Sequence, residues 1–323
     1  MILLTPVRAR IKEDIVLREK ILKENVGKNY SYGFEVKLLG GAKGDINYPE
    51  AIIKNLKSYS ENPDFLITLH GSIERKDFSS AKTDLTEKSG LQILEKVLRL
   101  AKRINARLVN LHTEKIYSGK ELIRKRFSLE EKIMLQKKIK EGVIRVKEKV
   151  GYQGKVAFEN MPYVLMGDTP RFKTAEEMVF DPLLITAGDF FVFSEPDKKI
   201  GVCLDTSHYG ITQKTINVSK NKDLVGIPEE DVKKQPELTE LAEKLGDNLF
   251  YVHFADFKNI WVPGKSYSLE GVVPGEGDFG EELEKFLKYL EKKEIPVMLE
   301  IYDKNLKNLN ETKKSIKWVI NNI

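Results

Sequence analysis

Six apolar segments of this chain each end in a residue of the kind that binds metals or moves protons. Short apolar runs rich in β-branched residues predict strands that are buried on both faces, as in a parallel sheet. The carboxyl ends of parallel strands lie at one face of an α/β domain, where such folds place their chemistry. We therefore expect six strand-end residues to converge at that face: His70, His112, Glu159, Asp205, His253 and Glu300.

Each histidine of the chain ends or closely follows one of these segments. The sequence contains four histidines, and the remaining one, His208, comes three residues after Asp205 in KIGVCLDTSHYG. Imidazole nitrogens and carboxylate oxygens both suit a divalent metal, at about 2.0–2.2 Å. The alternative for this stretch alone is an aspartate that caps a helix and a half-buried structural histidine. The recurrence of the pattern at six strand ends favours a metal centre.

Eight apolar segments alternate with segments of helical period along the whole chain. This alternation predicts an α/β fold, a single (β/α)8 TIM barrel that spans residues 1–323 as one domain. No glycine-rich dinucleotide motif and no Walker motif is present, which argues against a nucleotide-binding sheet. Two long polar stretches, 163–198 and 211–236, predict insertions after the fifth and sixth strands, which we expect to lie over the site as lids or binding loops.

The composition indicates the general class and compartment of the protein but does not indicate its function. The net charge is +5, but the lysines alternate with glutamates, which is typical of solvated helix faces rather than of a nucleic-acid surface. The one cysteine, Cys203, lies in an apolar segment and is expected to be a buried core residue. No apolar run reaches the length of a membrane span or resembles a signal peptide, so we expect a cytoplasmic protein without a membrane partner.

The motifs at the strand ends resemble those of the xylose-isomerase-like TIM barrels. This superfamily includes sugar isomerases and epimerases as well as the endonuclease IV group of abasic-site nucleases. The resemblance extends from about Phe65 to Glu300 and is carried by FENMP, CLDTSH, YVHFAD, PGEGDFG and VMLEIYD. It implies a closed barrel with a divalent metal, of manganese, cobalt, magnesium or zinc, at its carboxyl face.

The sugar-transforming branch of the superfamily implies a single cation. The resemblance assigns Glu159 and Glu300 as an acid/base pair that moves a proton through an enediolate. The same two glutamates, together with Asp205 and His253, would bind the cation. The substrate would be a small-molecule sugar, hydrogen-bonded by His208.

The loop after the seventh strand contains further candidates for binding the substrate. Many epimerases carry an arginine six residues after the seventh-strand histidine, whereas this chain has Asn259 with Lys258 beside it. We expect Lys258 and Trp261 to contact the substrate. The alternative for Trp261 is an aromatic side chain that packs back on its own loop.

The nuclease branch implies more cations, with DNA as the partner. His70, His112 and Glu159 would hold a first zinc, and Glu159 would bridge to a second zinc at the four-residue site. A third zinc in that branch uses His208 and an Asp-x-His, which the loop SYSLEGVVPGEG lacks. The residues that follow His70 and His112 also depart from the nuclease pattern. Without a second cation, these two histidines would line the pocket.

These observations rank three functions. A metal-dependent sugar or sugar-acid isomerase or epimerase comes first, because proton transfer beside a carbonyl needs only one cation and two opposed carboxylates. An endonuclease-IV-like phosphodiesterase without the third-metal pair comes second, and a barrel that binds metal or sugar without turnover comes third. Glu35, inside the second strand, is expected to be a structural pair partner. The sequence does not indicate an oligomeric state.

Overall fold

Eight parallel strands close into a barrel in the computed structural model of the chain. The structure describes residues 1–27, 30–39, 44–74, 84–125, 128–165, 173–194, 199–219, 224–233 and 235–323. The strands, in chain order, are β1 (Ile2–Val7), β2 (Ser31–Leu39), β3 (Leu66–Glu74), β4 (Leu108–Leu111), β5 (Tyr117–Ser118), β6 (Lys155–Glu159), β7 (Val179–Phe180), β8 (Ile200–Asp205), β9 (Leu249–Phe254), β10 (Asp256–Lys258), β11 (Leu269–Val272) and β12 (Val297–Leu299). The barrel order is β1-β12-β9-β8-β6-β4-β3-β2, closed between β2 and β1, and the pairs β5-β7 and β10-β11 lie outside it. The (β/α)8 prediction is confirmed.

The helices follow the strands as the periodicity predicts. They are α1 (Lys12–Asn25), α2 (Glu50–Ser60), α3 (Lys88–Arg103), α4 (Gly119–Arg124), α5 (Leu129–Val150), α6 (Ala187–Phe193), α7 (Thr206–Val218), α8 (Leu238–Leu245), α9 (Glu281–Lys292) and α10 (Asn310–Asn322). Ser128 caps α5, because its hydroxyl accepts the backbone N–H of Glu131. Among the described residues, no helix combines the length and the apolar character that crossing a membrane requires.

An apolar layer inside the barrel lies below the predicted site. Ala157, Cys203, Tyr251 and Met298 belong to one buried cluster that also contains Leu4, Leu66, Leu108 and Phe250. Cys203 is fully buried, as expected. Side chains two residues apart on a strand share a face. The residues two positions further along these four strands therefore point into the barrel one layer above: Glu159, Asp205, His253 and Glu300.

The segment after β8 differs from the sequence prediction. We expected residues 211–236 to be a polar insertion, but α7 begins directly at Thr206 and continues to Val218. Two threonine hydroxyls donate hydrogen bonds to backbone carbonyl oxygens one turn earlier in the helix. Thr212 donates to His208 at 3.0 Å and Thr215 to Ile211 at 2.7 Å. These polar side chains are buried. The apolar periodicity that reveals a helix is therefore weak here.

The described part of the segment after β6 contains the α-helix α6. Before it, β7 pairs antiparallel with β5, so this segment is attached to the residues that follow β4. Residues 166–172, 195–198, 220–223 and 234 lie outside the described residues. The lid role of 163–198 and 211–236 stays a prediction.

A buried lysine joins these two segments. Lys132 on α5 is fully buried, and its ammonium lies 2.7 Å from Asp189 of α6 and 3.0 Å from Asp231. Asp231 belongs to the segment between α7 and α8, in the 3-10 turn Glu229–Asp231. One ammonium therefore holds the segments after β6 and after β8 against α5.

Substitution of Lys132 by alanine is expected to lower the free energy of unfolding by about 3–5 kcal/mol. The change leaves Asp189 as a buried carboxylate without its cation, which costs more than the loss of one contact. Urea unfolding followed by circular dichroism measures the effect. Lys137→Ala, at an exposed position of the same helix, is the control and should stay within about 0.5 kcal/mol of the wild type. Equal unfolding curves for the two variants would contradict the expectation.

Candidate metal centre

The structure brings together the four residues predicted to bind metal at the carboxyl ends of their strands. Glu159, Asp205, His253 and Glu300 each offer one ligand atom, and these atoms all lie within 4.8 Å of one another. Their strands β6, β8, β9 and β12 are neighbours in the barrel, and the registers pair Glu159 with Cys203 and Asp205 with His253. The convergence therefore follows from parallel pairing and from a common inward face.

The two carboxylate oxygens of Glu159 face different histidines. Oε1 lies 3.0 Å from Nδ1 of His253. Oε2 lies 3.3 Å from Nε2 of His112 and 3.5 Å from Nε2 of His70. His70, His112 and Glu159 thus form a second group with ligand atoms within 4.8 Å of one another. Glu159 belongs to both groups and is fully buried between them.

The other ring nitrogens of His70 and His112 face oxygen atoms. Nδ1 of His70 lies 3.1 Å from the carbonyl oxygen of Ser72, which only accepts hydrogen bonds, so this nitrogen carries the proton. Nδ1 of His112 lies 3.7 Å from a carboxylate oxygen of Glu114. A histidine that binds a metal commonly donates its other N–H to a carbonyl or carboxylate. His70 therefore has the hydrogen bond that metal-binding histidines commonly make with their other nitrogen, and both rings direct Nε2 at Glu159.

His253 lies between two sets of carboxylates. Its Nδ1 is 2.5 Å from Oε2 of Glu300 and 4.0 Å from Oδ2 of Asp205. Its Nε2 is 2.9 Å from Oε2 of Glu35, across the barrel on β2. Glu35 is thus paired, as expected, and its other contact is Lys37 at 3.4 Å.

The protonation of these groups follows from burial and from their mutual attraction. Burial alone would raise the pKa of Glu159, but His253 and His112 together hold that pKa well below the usual range of a glutamate. Burial alone would lower the pKa of His253, yet the surrounding acidic groups raise it well above its ordinary value. Burial raises the pKa of Asp205 to about 7, since His208 compensates only part of the desolvation. A cation would replace the proton of His253 and allow Asp205 to ionise.

The donor set fits a divalent metal. Among the described residues, Oδ2 of Asp205 and Nε2 of His112 are buried without a hydrogen-bond partner, and each belongs to one of the two groups. Buried polar atoms normally have such partners, and a cation held by either group would supply one to an atom that the protein leaves unpaired. Imidazole with carboxylate oxygens is a set that zinc, manganese and cobalt accept.

His208 lies beside the four-residue group and makes two hydrogen bonds of its own. Nδ1 contacts the carbonyl oxygen of Asn160 at 2.9 Å, and Nε2 lies 3.0 Å from Oε2 of Glu270. Glu270 also accepts the hydroxyl of Tyr302 at 2.6 Å. Sequence reasoning missed Glu270, which lies in β11, because a single glutamate in a polar segment gives no signal by itself. It lies in the loop segment where the nuclease branch has its Asp-x-His.

Two asparagines that the sequence analysis did not single out hold the predicted ligands in place. The side chain of Asn160 makes two hydrogen bonds with the backbone of Asp205. Its oxygen accepts the N–H of Asp205 at 2.8 Å, and its amide nitrogen donates to the carbonyl oxygen of Asp205 at 3.1 Å. Asn110 donates its side-chain amide to Oε2 of Glu159. Asn160 directly follows Glu159, and Asn110 precedes His112 by two residues, so their positions beside strand-end ligands were the available signal.

The two predicted substrate contacts after β9 have different environments. Trp261 is only 7 % exposed and belongs to the hydrophobic core, so its ring packs within the protein. Lys258, at the end of β10, is exposed. In the part of the chain that the structure describes, neither makes a hydrogen bond or ion pair with the four-residue group. A substrate contact of Lys258 or Trp261 remains a proposal.

Solved structures similar to this chain include both epimerases and a nuclease. A D-tagatose 3-epimerase-like protein aligns with a TM-score of 0.57 and 16% identity over 99% of this chain and 97% of that chain. The 3-keto-D-glucoside 4-epimerase YcjR of E. coli aligns with a TM-score of 0.57 and 15% identity over 99% of this chain and 98% of its own. Endonuclease IV of Thermus thermophilus aligns with a TM-score of 0.53 and 13% identity over 99% of both chains. At these identities the likeness shows a shared fold.

Sequence comparison is more selective. No curated protein matches the chain. The family model of the xylose isomerase-like TIM barrel matches residues 32–322, which is most of the chain. This range begins within β2 and includes every later strand of the barrel and the residues of both groups. The chain therefore belongs to the xylose isomerase-like TIM barrel family.

Proposed function

We propose that this protein is a metal-dependent hydrolase that cleaves phosphate esters at a centre for two cations. The observation that carries the proposal is the position of Glu159, whose two oxygens face two separate sets of histidine nitrogens. A carboxylate in this position can bridge two cations. The sequence alone ranked sugar chemistry first, because one cation suffices for it. The orientations of His70 and His112 change that ranking.

A second cation accounts for features that a single cation leaves without a role. The four-residue group would bind one cation without any help from His70 and His112. Yet both histidines direct Nε2 at Glu159, and Nε2 of His112 is buried without a hydrogen bond. The glycine after His70, a departure from the nuclease pattern, has a packing reason, since a Cβ at Gly71 would lie 2.6 Å from the side chain of Leu111.

The roles of the residues follow from their positions. Two cations would supply positive charge to the attacking and the leaving oxygens of a phosphoryl group. Glu159 belongs to both the four-residue group and the group with His70 and His112, so it would hold the two cation sites at a fixed separation. His208 lies beside the four-residue group, with Nδ1 held by the carbonyl oxygen of Asn160 and Nε2 towards Glu270. We assign to it the binding of a substrate oxygen, which would replace Glu270 as the acceptor of the Nε2 proton.

A sugar isomerase or epimerase is the second candidate, and the four-residue group supports it. Proton transfer needs two carboxylates that each have an oxygen available for the proton. Here both oxygens of Glu159 face histidines, whereas Glu300 has, among the described residues, only Oε1 in a hydrogen bond, with Lys37 at 2.7 Å. The engagement of both oxygens of Glu159 favours hydrolysis over proton transfer.

The two functions differ in their need for His70 and His112, and the test uses this difference. We expect the wild-type protein, purified with controlled zinc or manganese, to contain two ions per chain by elemental analysis and to hydrolyse bis(p-nitrophenyl) phosphate. The variant His70→Gln/His112→Gln should retain one ion and lose hydrolysis by at least about 10²-fold, because one of the two cations is removed. An abasic-site duplex and sugar phosphates, offered in parallel, define the substrate class.

Deuterium exchange from solvent into ketoses provides the opposing readout. A one-cation epimerase would exchange deuterium into a ketose such as D-fructose, and the double variant would retain that exchange. One ion per chain, exchange into a ketose and no phosphoester hydrolysis would overturn the proposal in favour of the second candidate.

A further inference from the structure

We propose that Glu35 is a positioning residue of the metal centre, and that Lys37 holds Glu35 and Glu300 in the geometry that this role requires. The proposal rests on the proposed metal centre and goes beyond it, because neither residue is a ligand. Glu35 fixes the imidazole of His253 so that Nδ1 is presented to the cation. Lys37 binds one oxygen of Glu300 and leaves the other for the centre.

Both residues lie on the inward face of β2. They are two positions apart, so their side chains point the same way, into the barrel. Glu35 is fully buried and Lys37 is 8% exposed. Glutamate and lysine are almost never buried to this extent unless they are paired, and barrel interiors are normally filled by branched aliphatic side chains. An ion pair at these positions therefore needs an explanation.

Glu35 determines which nitrogen of His253 faces the ligands. Its Oε2 lies 2.9 Å from Nε2 of His253. A carboxylate only accepts hydrogen bonds, so Nε2 carries a proton, and the lone pair available to a metal is on Nδ1. Nδ1 is the nitrogen that faces Glu159 and Glu300. A carboxylate behind a metal-binding histidine fixes both the tautomer and the orientation of the ring.

Lys37 connects the second oxygen of Glu35 to a ligand. Its Nζ lies 3.4 Å from Oε1 of Glu35 and 2.7 Å from Oε1 of Glu300. Because Glu300 in turn lies 2.5 Å from His253, the four side chains form a closed ring of ionic contacts. The ring spans the barrel from β2 to β9 and β12. Displacement of any member would change the position of a ligand atom.

A purely structural role for this pair would have a different consequence. Replacing a buried ion pair by apolar side chains of similar size is often neutral or stabilising, because the desolvation of both charges is avoided. If Glu35 and Lys37 served only the fold, their joint removal would leave metal binding intact. A positioning role predicts that metal binding weakens while the fold keeps its stability.

The decisive variant is Glu35→Met/Lys37→Met. It removes one negative and one positive charge, so the net charge beside the centre is unchanged and a loss of affinity reports geometry. We expect zinc affinity, measured by competition with a chromophoric chelator, to fall by about 10–100-fold. The visible absorption of the Co²⁺-loaded protein should change in band position or intensity. The unfolding free energy of the metal-free variant should equal or exceed that of the wild type.

Two further variants keep the test decisive. Glu35→Gln preserves the shape of the side chain and tests the same role should the double variant fail to fold, and we expect at least a tenfold loss of zinc affinity. Thr68→Val is the matched control, because Thr68 is buried on the adjacent strand β3 and hydrogen-bonds Tyr251 rather than a ligand. It should keep the wild-type affinity and Co²⁺ spectrum.

Each outcome has a defined meaning. Wild-type affinity and an unchanged Co²⁺ spectrum in a folded Glu35 variant would overturn the positioning role and leave the metal centre standing. An equal loss of affinity in Thr68→Val would also overturn it, since the effect would then not be specific to the ring. A wild-type protein that binds no divalent ion would overturn both this inference and the proposed function.

Discussion

Replacement of Glu159 by glutamine is expected to remove at least one of the two cations and to lower kcat for phosphoester hydrolysis by about 10³-fold or more. Glutamine has the same shape but only one oxygen, so it cannot serve both groups. His253 faces one oxygen of Glu159, and His70 and His112 face the other. Elemental analysis of the purified variant and steady-state kinetics with a phosphodiester measure the two effects.

The control for this variant is Glu148→Gln, an exposed glutamate on α5 that lies in neither group. It should keep two ions per chain and the full rate. If Glu159→Gln also retained two ions, the bridging role would be wrong. A variant with one ion but an unchanged rate would show that the second cation takes no part in catalysis.

Substitution of Asp205 by asparagine is expected to have opposite effects on metal binding and on stability. Metal affinity should fall by at least about 10²-fold, because one of four ligands loses its charge. The metal-free protein should become more stable at neutral pH, since burial makes ionised Asp205 unfavourable. Titration with zinc and urea unfolding in the presence of a chelator measure the two quantities separately.

The stabilisation should depend on pH in a defined direction. In the metal-free fold, burial raises the pKa of Asp205 to about 7, from a value of 3.8 for an ordinary aspartate. The wild type and Asp205→Asn should therefore be about equally stable near pH 4. As pH rises from about 4 to about 7, the wild type loses stability relative to the variant, and the difference is complete above about pH 7. Each pKa unit corresponds to about 1.4 kcal/mol, so the difference should reach a few kcal/mol at most.

Asp205→Ala separates the two functions of the carboxylate. Oδ1 caps α7 by accepting the N–H of His208 at 2.7 Å, whereas Oδ2 has no hydrogen-bond partner among the described residues. Alanine removes the cap as well as the charge, so it should be about 1 kcal/mol less stable than the asparagine variant. Undiminished metal binding by Asp205→Asn, or a metal-free variant less stable than the wild type at pH 8, would contradict these expectations.

The loop after β9 illustrates why a missing motif has limited weight. The absence of an Asp-x-His argued against nuclease-like chemistry, and the structure places Glu270 beside His208 in that loop. A carboxylate therefore contacts His208 although it is not part of an Asp-x-His motif. A motif specifies residue types at fixed spacings in the sequence, whereas contact with His208 depends on which side chain of the folded segment lies next to it.

The sequence by itself determined the barrel and the face on which its polar strand ends meet. Alternating strand and helix patterns are local properties, and parallel strands bring their carboxyl ends to one side wherever they pair. That is why His70, His112, Glu159, Asp205, His253 and Glu300 could be grouped without a structure. The helix cap considered for Asp205 is also observed, since an aspartate before a helix has a local partner, although Asp205 and His208 are both buried.

Only the tertiary structure decided which atoms face one another. The contacts of Glu35 with His253 and of Lys37 with Glu300 join residues more than 200 positions apart, at 2.9 Å and 2.7 Å. In the sequence, Glu35 and Lys37 are only two charges in a strand. The sequence also did not reveal the burial of Trp261 or the helix at Thr206–Val218. In both segments polar or aromatic side chains are buried by tertiary contacts, which the sequence pattern does not show. Side-chain direction across a closed barrel depends on strand register and barrel closure, and local periodicity contains neither.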